Sequence, residues 1–220
     1  MELIVALDVD SISPAEKIVK LLKHKVKIFK VGSKLFTAVG PAILEILNSN
    51  GCKVFLDLKY HDIPTVVSDA VMVAGEKKVF AVSLHISGGK EMLEKCISLK
   101  NRPLLWGITV LTSLDDNDLK EIGISQKIEA QVELLTKIAK DVGLDGIVCS
   151  PREIDIVKKI SRLQIIVPGI RLAEETDDQK RTLTPKEAKE KGADYIVVGR
   201  PIIKAENPLL VTEKTLEEIK

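Results

Sequence analysis

Short apolar runs rich in valine, isoleucine and leucine alternate along this chain with segments whose apolar residues recur at helical spacing. The runs fall at Leu3–Leu7, Ile28–Val31, Val54–Leu58, Val79–Leu84, Leu104–Thr109, Gly146–Cys149, Gln164–Val167 and Tyr195–Val198. They are nearly continuous in apolar residues instead of alternating with polar ones, which is the pattern of parallel strands covered on both faces. The first helical segment opens on Ser13-Pro14-Ala15-Glu16, read as an N-cap serine, a proline at the first helical position and a glutamate three residues after the cap. Later helices are expected over Pro41–Asn50, Thr65–Ala74, Gly89–Ser98, Ile128–Asp141, Arg152–Ile160, Pro185–Lys191 and Pro208–Ile219, with a short extra one over Asp115–Ile122. Eight strand-helix repeats predict an α/β fold, a (β/α)8 TIM barrel forming a single domain over residues 1–220. An open doubly wound sheet is the competing architecture, but it calls for G-x-G-x-x-G after the first strand, where Leu7-Asp8 stands.

The third run ends abnormally, in Asp57-Leu58-Lys59-Tyr60-His61-Asp62-Ile63-Pro64. Residues i and i+2 of a strand share a face, so Asp57 and Lys59 are expected to project together, with Asp62 returning from the following loop. Alone, this could be a salt bridge closing a barrel mouth. Other strand ends carry polar groups as well: Asp8, Lys30, His85, Thr109 with Thr112, Ser150, Arg171 and Arg200. A barrel gathers all of them on its C-terminal face, where sites of this architecture are built. After the seventh and eighth runs, Pro168-Gly169-Ile170-Arg171 and Gly199-Arg200 pair glycines, which permit close backbone approach, with guanidinium forks suited to phosphate oxygens. The polar stretch Leu172–Thr184 is long for a connection and is expected to form a mobile phosphate-binding lid at about 172–184.

Composition narrows the partners. With 33 basic and 32 acidic residues and a net charge of +1, the chain lacks the footprint of a nucleic-acid or membrane-surface binder, so a small-molecule ligand is expected. No apolar stretch approaches the roughly 18 residues of a membrane span, and Met1 to Val9 is too short and acidic for a signal peptide, so a cytoplasmic setting is expected. Cys52, Cys96 and Cys149 stand singly in apolar contexts and the three histidines lie off metal-ligand spacings, so neither a disulfide frame nor a metal site is expected.

The motifs Ala6-Leu7-Asp8, Phe29-Lys30-Val31-Gly32, Phe55 through Pro64, His85-Ile86-Ser87-Gly88-Gly89, Thr109 through Ser113, Pro168 through Arg171, Asp178-Gln179 and Gly199-Arg200 run in order over nearly the whole length. In them the chain resembles the orotidine 5'-phosphate decarboxylases, which convert orotidine monophosphate (OMP) to uridine monophosphate (UMP) and CO2 in pyrimidine synthesis. The resemblance implies that Lys59 donates a proton to C6, that Asp57 sits against the substrate carboxylate, and that Lys30 and Asp62 complete an alternating charge row. It also implies a homodimer with shared active sites, Asp62 reaching into the neighbour's site. Asp8 and Lys30 would hold ribose hydroxyls and Thr112 the pyrimidine. Arg171, Gln179, Gly199 and Arg200 would hold the phosphate, and Ile63 and Thr65 would add substrate contacts. The family commonly continues Ile-Pro with Asn-Thr; here Thr65-Val66 stands there, which shifts the hydroxyl by one position.

The chemistry accounts for such residues. Loss of CO2 from C6 leaves an in-plane electron pair that the ring π system cannot delocalise, and no cofactor motif offers an electron sink. A fixed cation and a proton must come from the protein, and a lysine supplies both. A magnesium-dependent sugar-phosphate lyase would share Asp57-x-Lys59-x-x-Asp62 but wants an acid where Lys30 stands. A non-catalytic nucleotide-binding barrel would have no use for the charges of the third strand.

Overall fold

The computed structural model describes residues 1–171 and 183–220. Eight parallel strands close a barrel in chain order: β1 (Glu2–Ala6), β2 (Ile28–Gly32), β3 (Lys53–Tyr60), β4 (Ala81–His85), β5 (Leu104–Ile108), β6 (Gly146–Val148), β7 (Gln164–Val167) and β8 (Tyr195–Val198). Closure is made by β8 pairing with β1, from Tyr195 opposite Glu2 to Val198 opposite Val5. Around the barrel lie α1 (Ile12–Leu22), α2 (Ser33–Val39), α3 (Ala42–Ser49), α4 (Pro64–Glu76), α5 (Lys90–Ile97), α6 (Asp116–Glu121), α7 (Ile128–Val142), α8 (Ile154–Ile160), α9 (Pro185–Lys191), α10 (Arg200–Ile203) and α11 (Pro208–Glu218).

The apolar runs are continuous because both strand faces are buried. Val5, Phe29, Val31, Val54, Leu56 and Val82 face the helices, whereas Ile4, Ile28, Phe55, Ala81, Trp106, Ile166, Tyr195 and Val197 fill the interior. Trp106 anchors that inner plug. Its ring lies 4.6 Å from Phe55 and 5.0 Å from Tyr195, and its Nε1 donates to Gln164 Oε1 at 3.2 Å, satisfying the one polar atom it buries. Gly146 makes room for it, since a Cβ there would stand 2.7 Å from Trp106 Cδ1.

Some elements differ from expectation. The first helix begins at Ile12 behind Ser11, two residues before the expected serine cap, so Pro14 falls inside the first turn. The seven-residue α2 was not anticipated; it buries only Leu35, too little to print a helical period on the sequence. The short α6 forms as expected, held by a capping box in which Asp115 accepts from the Asp118 N–H and Asp118 from the Asp115 N–H. Ile170 bridges Leu183 in parallel and the Arg171 N–H donates to the Leu183 carbonyl at 3.0 Å. Residues 172–182 of the expected lid, Gln179 among them, lie outside the described residues. Among the described residues no helix is long and apolar enough to cross a membrane.

Candidate active site

Parity along β3 sends Val54 and Leu56 to the helices and Phe55 and Asp57 inward. The pairing with β4 then breaks. Leu56 is opposite Val82 and Tyr60 opposite Leu84, so Asp57, Leu58 and Lys59 together face the single residue Ser83. Lys59 absorbs the excess with φ at 52°, a left-handed conformation unusual for a side-chain-bearing residue and a kind of strain that gathers at functional sites. Its N–H donates to Ser83 Oγ at 2.9 Å, and that hydroxyl donates to Asp57 Oδ1 at 2.7 Å. The expected meeting of Asp57 and Lys59 does occur, Lys59 Nζ lying 3.1 Å from Asp57 Oδ2, but through a bulge and not a regular strand end.

Lys30 enters from β2, flanked in register by Ala6 and Phe55. Its ammonium stands 3.4 Å from Asp57 Oδ2 and 3.4 Å from Asp8 Oδ1. The result is an alternating row, Asp8, Lys30, Asp57, Lys59, across three neighbouring strand ends. Burial pushes the Asp57 carboxyl up, but the Lys30 and Lys59 ammonium groups and the hydrogen bonds from Ser83 and Lys59 outweigh it and hold the group below its ordinary value. His85, at the end of β4, is held low chiefly by burial, with help from His61 and Lys59 against the pull of Asp57. The two imidazoles lie with centroids 5.2 Å apart.

The row forms one wall of a cavity of about 240 Å³ over the apolar floor of Ala6, Phe55, Ile108, Val148 and Val197. Thr112, Gly169, Arg171, Gly199 and Arg200 complete it, Arg171 being buried. Gly199 lies close against the row: a Cβ there would come within 2.9 Å of Asp8 Oδ2 and 3.3 Å of Ala6 Cβ, so Asp8 would have to shift. Asp8, Lys30, Asp57, Lys59, Thr112, Arg171, Gly199 and Arg200 are thus brought together. Asp62, Ile63 and Thr65 are not: all three are exposed beyond the end of β3. Asp62 Oδ1 accepts from the Ile63 N–H at 2.7 Å, and the Thr65 hydroxyl accepts from Lys95 Nζ at 2.8 Å. Ser83 was missed by sequence reasoning; its only trace is a hydroxyl at an inward position of the run Ala81-Val82-Ser83-Leu84. Chemically, the site offers two ammonium groups interleaved with two carboxylates, and two guanidinium groups, one after β7 and one at the start of α10.

The model of the orotidine 5'-phosphate decarboxylase / HUMPS family matches residues 1–215. The orotidine 5'-phosphate decarboxylase of Carboxydothermus hydrogenoformans is 45% identical over 228 residues, covering 99% of this chain and 95% of the relative. That of Trichlorobacter lovleyi is 43% identical with the same coverage. Among solved structures, the orotidine 5'-phosphate decarboxylase of Lactobacillus acidophilus is similar with a TM-score of 0.86 at 35% identity, over 100% of this chain and 99% of that one.

Proposed function

The chain belongs to the orotidine 5'-phosphate decarboxylase / HUMPS family, and from that premise we propose how its residues act. It is a carboxy-lyase of pyrimidine biosynthesis that converts OMP to UMP and CO2. The observation that carries the residue roles is the row Asp8, Lys30, Asp57, Lys59 along one cavity wall. The bond from C6 to the carboxylate breaks heterolytically, CO2 leaves neutral, and the electron pair stays on C6. The Lys59 ammonium stabilises that pair and then gives it a proton, water later reprotonating the amine. Asp57, ionised beside the departing carboxylate, repels it in the bound substrate and ceases to do so as CO2 forms. Arg171 and Arg200 grip the phosphate, so binding energy far from C6 serves the reaction there. Asp8 and Lys30 hold the ribose and Thr112 the pyrimidine. The reaction calls for no organic cofactor, since Lys59 supplies both cation and proton, and for no divalent ion, since the Lys30 ammonium beside Asp8 and Asp57 would repel one.

The working form is a homodimer. Asp62, Ile63 and Thr65 lie outside their own chain's cavity, and Ile63, Val66 and Val73 expose an apolar stripe along the start and one side of α4, with Ile63 64% exposed. A second copy covering that stripe would receive Asp62 at its site. The three cysteines are free and buried, in keeping with a cytoplasmic setting.

Chelator-treated protein mixed with OMP should bleach the orotate absorbance; activity abolished by EDTA and restored by Mg2+ would point to the lyase chemistry instead. Mixing Lys59→Ala with Asp62→Ala should regain turnover as hybrid dimers form one intact site. Continued inactivity after verified subunit exchange would place Asp62 at its own chain's site.

A further inference from the structure

We infer that Ser83 is a positioning residue for both halves of the Asp57–Lys59 pair, setting the rotation of the carboxylate and the backbone from which the lysine reaches. The inference rests on the reaction proposed above only for its kinetic consequence. Ser83 is fully buried inside the barrel. A hydroxyl has one proton and two lone pairs, and an ionised carboxylate can only accept. The Ser83 proton therefore goes to Asp57 Oδ1, and a lone pair receives the Lys59 N–H.

Two consequences follow from that division. With Oδ1 turned inward to Ser83, Oδ2 is the oxygen left for both ammonium groups, and Lys30 and Lys59 do both meet Oδ2. The carboxylate is thereby kept from rotating to give each lysine its own oxygen, and the shared edge stays toward the cavity. The bulge, meanwhile, takes the Lys59 N–H out of the ladder with β4, because one residue there faces three. An amide left without a partner at this depth would drive the left-handed Lys59 backbone to relax, and the hydroxyl supplies that partner. A serine is short enough to do this from the neighbouring strand without entering the cavity.

In Ser83→Ala, kcat should fall roughly 10- to 100-fold, as expected for losing a hydrogen bond to a charged group, while KM stays within about threefold. Ser83→Thr, which keeps the hydroxyl, should recover most of the turnover. In unliganded protein carrying 13C-carboxyl aspartate, Asp57 should titrate at higher pH in Ser83→Ala than in the wild type, since a donor to its charged form is gone. A kcat within twofold of wild type together with an unmoved Asp57 titration would overturn the inference. If Ser83→Ala does not fold, amide exchange in the wild type decides: slow exchange at the Lys59 N–H supports the assignment and fast exchange defeats it. Titration and exchange need no substrate, so a protein that left OMP unchanged would defeat the proposed reaction while leaving this hold on Asp57 and Lys59 to be judged on its own.

Discussion

Two ion clusters sit at opposite ends of the same barrel and use their charges differently. At the N-terminal end, Arg102 precedes β5 and Asp145 precedes β6, and they meet in a two-pronged pair, Nη1 to Oδ2 at 2.5 Å and Nη2 to Oδ1 at 3.3 Å. Both partners also hold backbone: Asp145 Oδ2 accepts from the Leu105 N–H, and Arg102 Nη1 donates to the Pro103 carbonyl. At the C-terminal end, Asp57 faces two ammonium groups through one oxygen at 3.1 and 3.4 Å, and each ammonium has donors to spare beside an open cavity. A two-pronged pair that also holds backbone stitches strands together. A row with donors to spare keeps its charge available at the cavity.

The widest separation between the two should come from Lys59→Ala. Losing cation and proton donor together should cost at least ~10^3-fold in kcat, with nucleotide binding and melting temperature little changed. A variant retaining a tenth of wild-type turnover would mean that the proton comes from elsewhere. Arg200→Ala, at the phosphate end of the same rim, should cost about 2–5 kcal/mol in kcat/KM. Orotidine lacking its phosphate should be a poor substrate that free phosphite partly rescues, and less so in the variant. If orotidine turned over as fast as OMP, the phosphate grip would be misplaced.

The opposite end should respond in the opposite currency. Asp145→Ala strips partners from Arg102 and from the Leu105 N–H, so unfolding free energy should drop by about 1–3 kcal/mol while kcat stays within a few-fold. A large kcat loss without destabilisation would erase the contrast. The smallest effect concerns pH. Because the Asp57 carboxyl is held below its ordinary value when folded, its ionised form adds stability that is complete above the unfolded carboxylate range and is lost as pH falls through the lowered value. Asp57→Asn should therefore flatten the acid side of the melting-temperature curve, and an unchanged slope would mean that other carboxylates govern it.

Much of this was legible in one dimension. The strands of the barrel lie on the eight apolar runs because burial of both faces writes itself as uninterrupted apolar residues, and strand ends are where such a run must stop. Asp8, Lys30, Asp57, Arg171 and Arg200 could be placed on one rim for that reason. Neither α2 nor the start of α1 was legible, since α2 buries only Leu35 and α1 buries nothing before Ala15, so neither stretch shows a period.

Strand-helix order, the rim that carries the charges and, through the motifs, the family all follow from the order of residues along the chain. How Asp57 and Lys59 meet emerges only on folding, because it depends on the register between β3 and β4, a relation between residues 24 to 26 positions apart that no local pattern encodes. Folding also brings Ser83 into the site. A serine within an apolar run looks like any small buried residue until the neighbouring strand bulges and brings a carboxylate and an unpaired N–H to its hydroxyl.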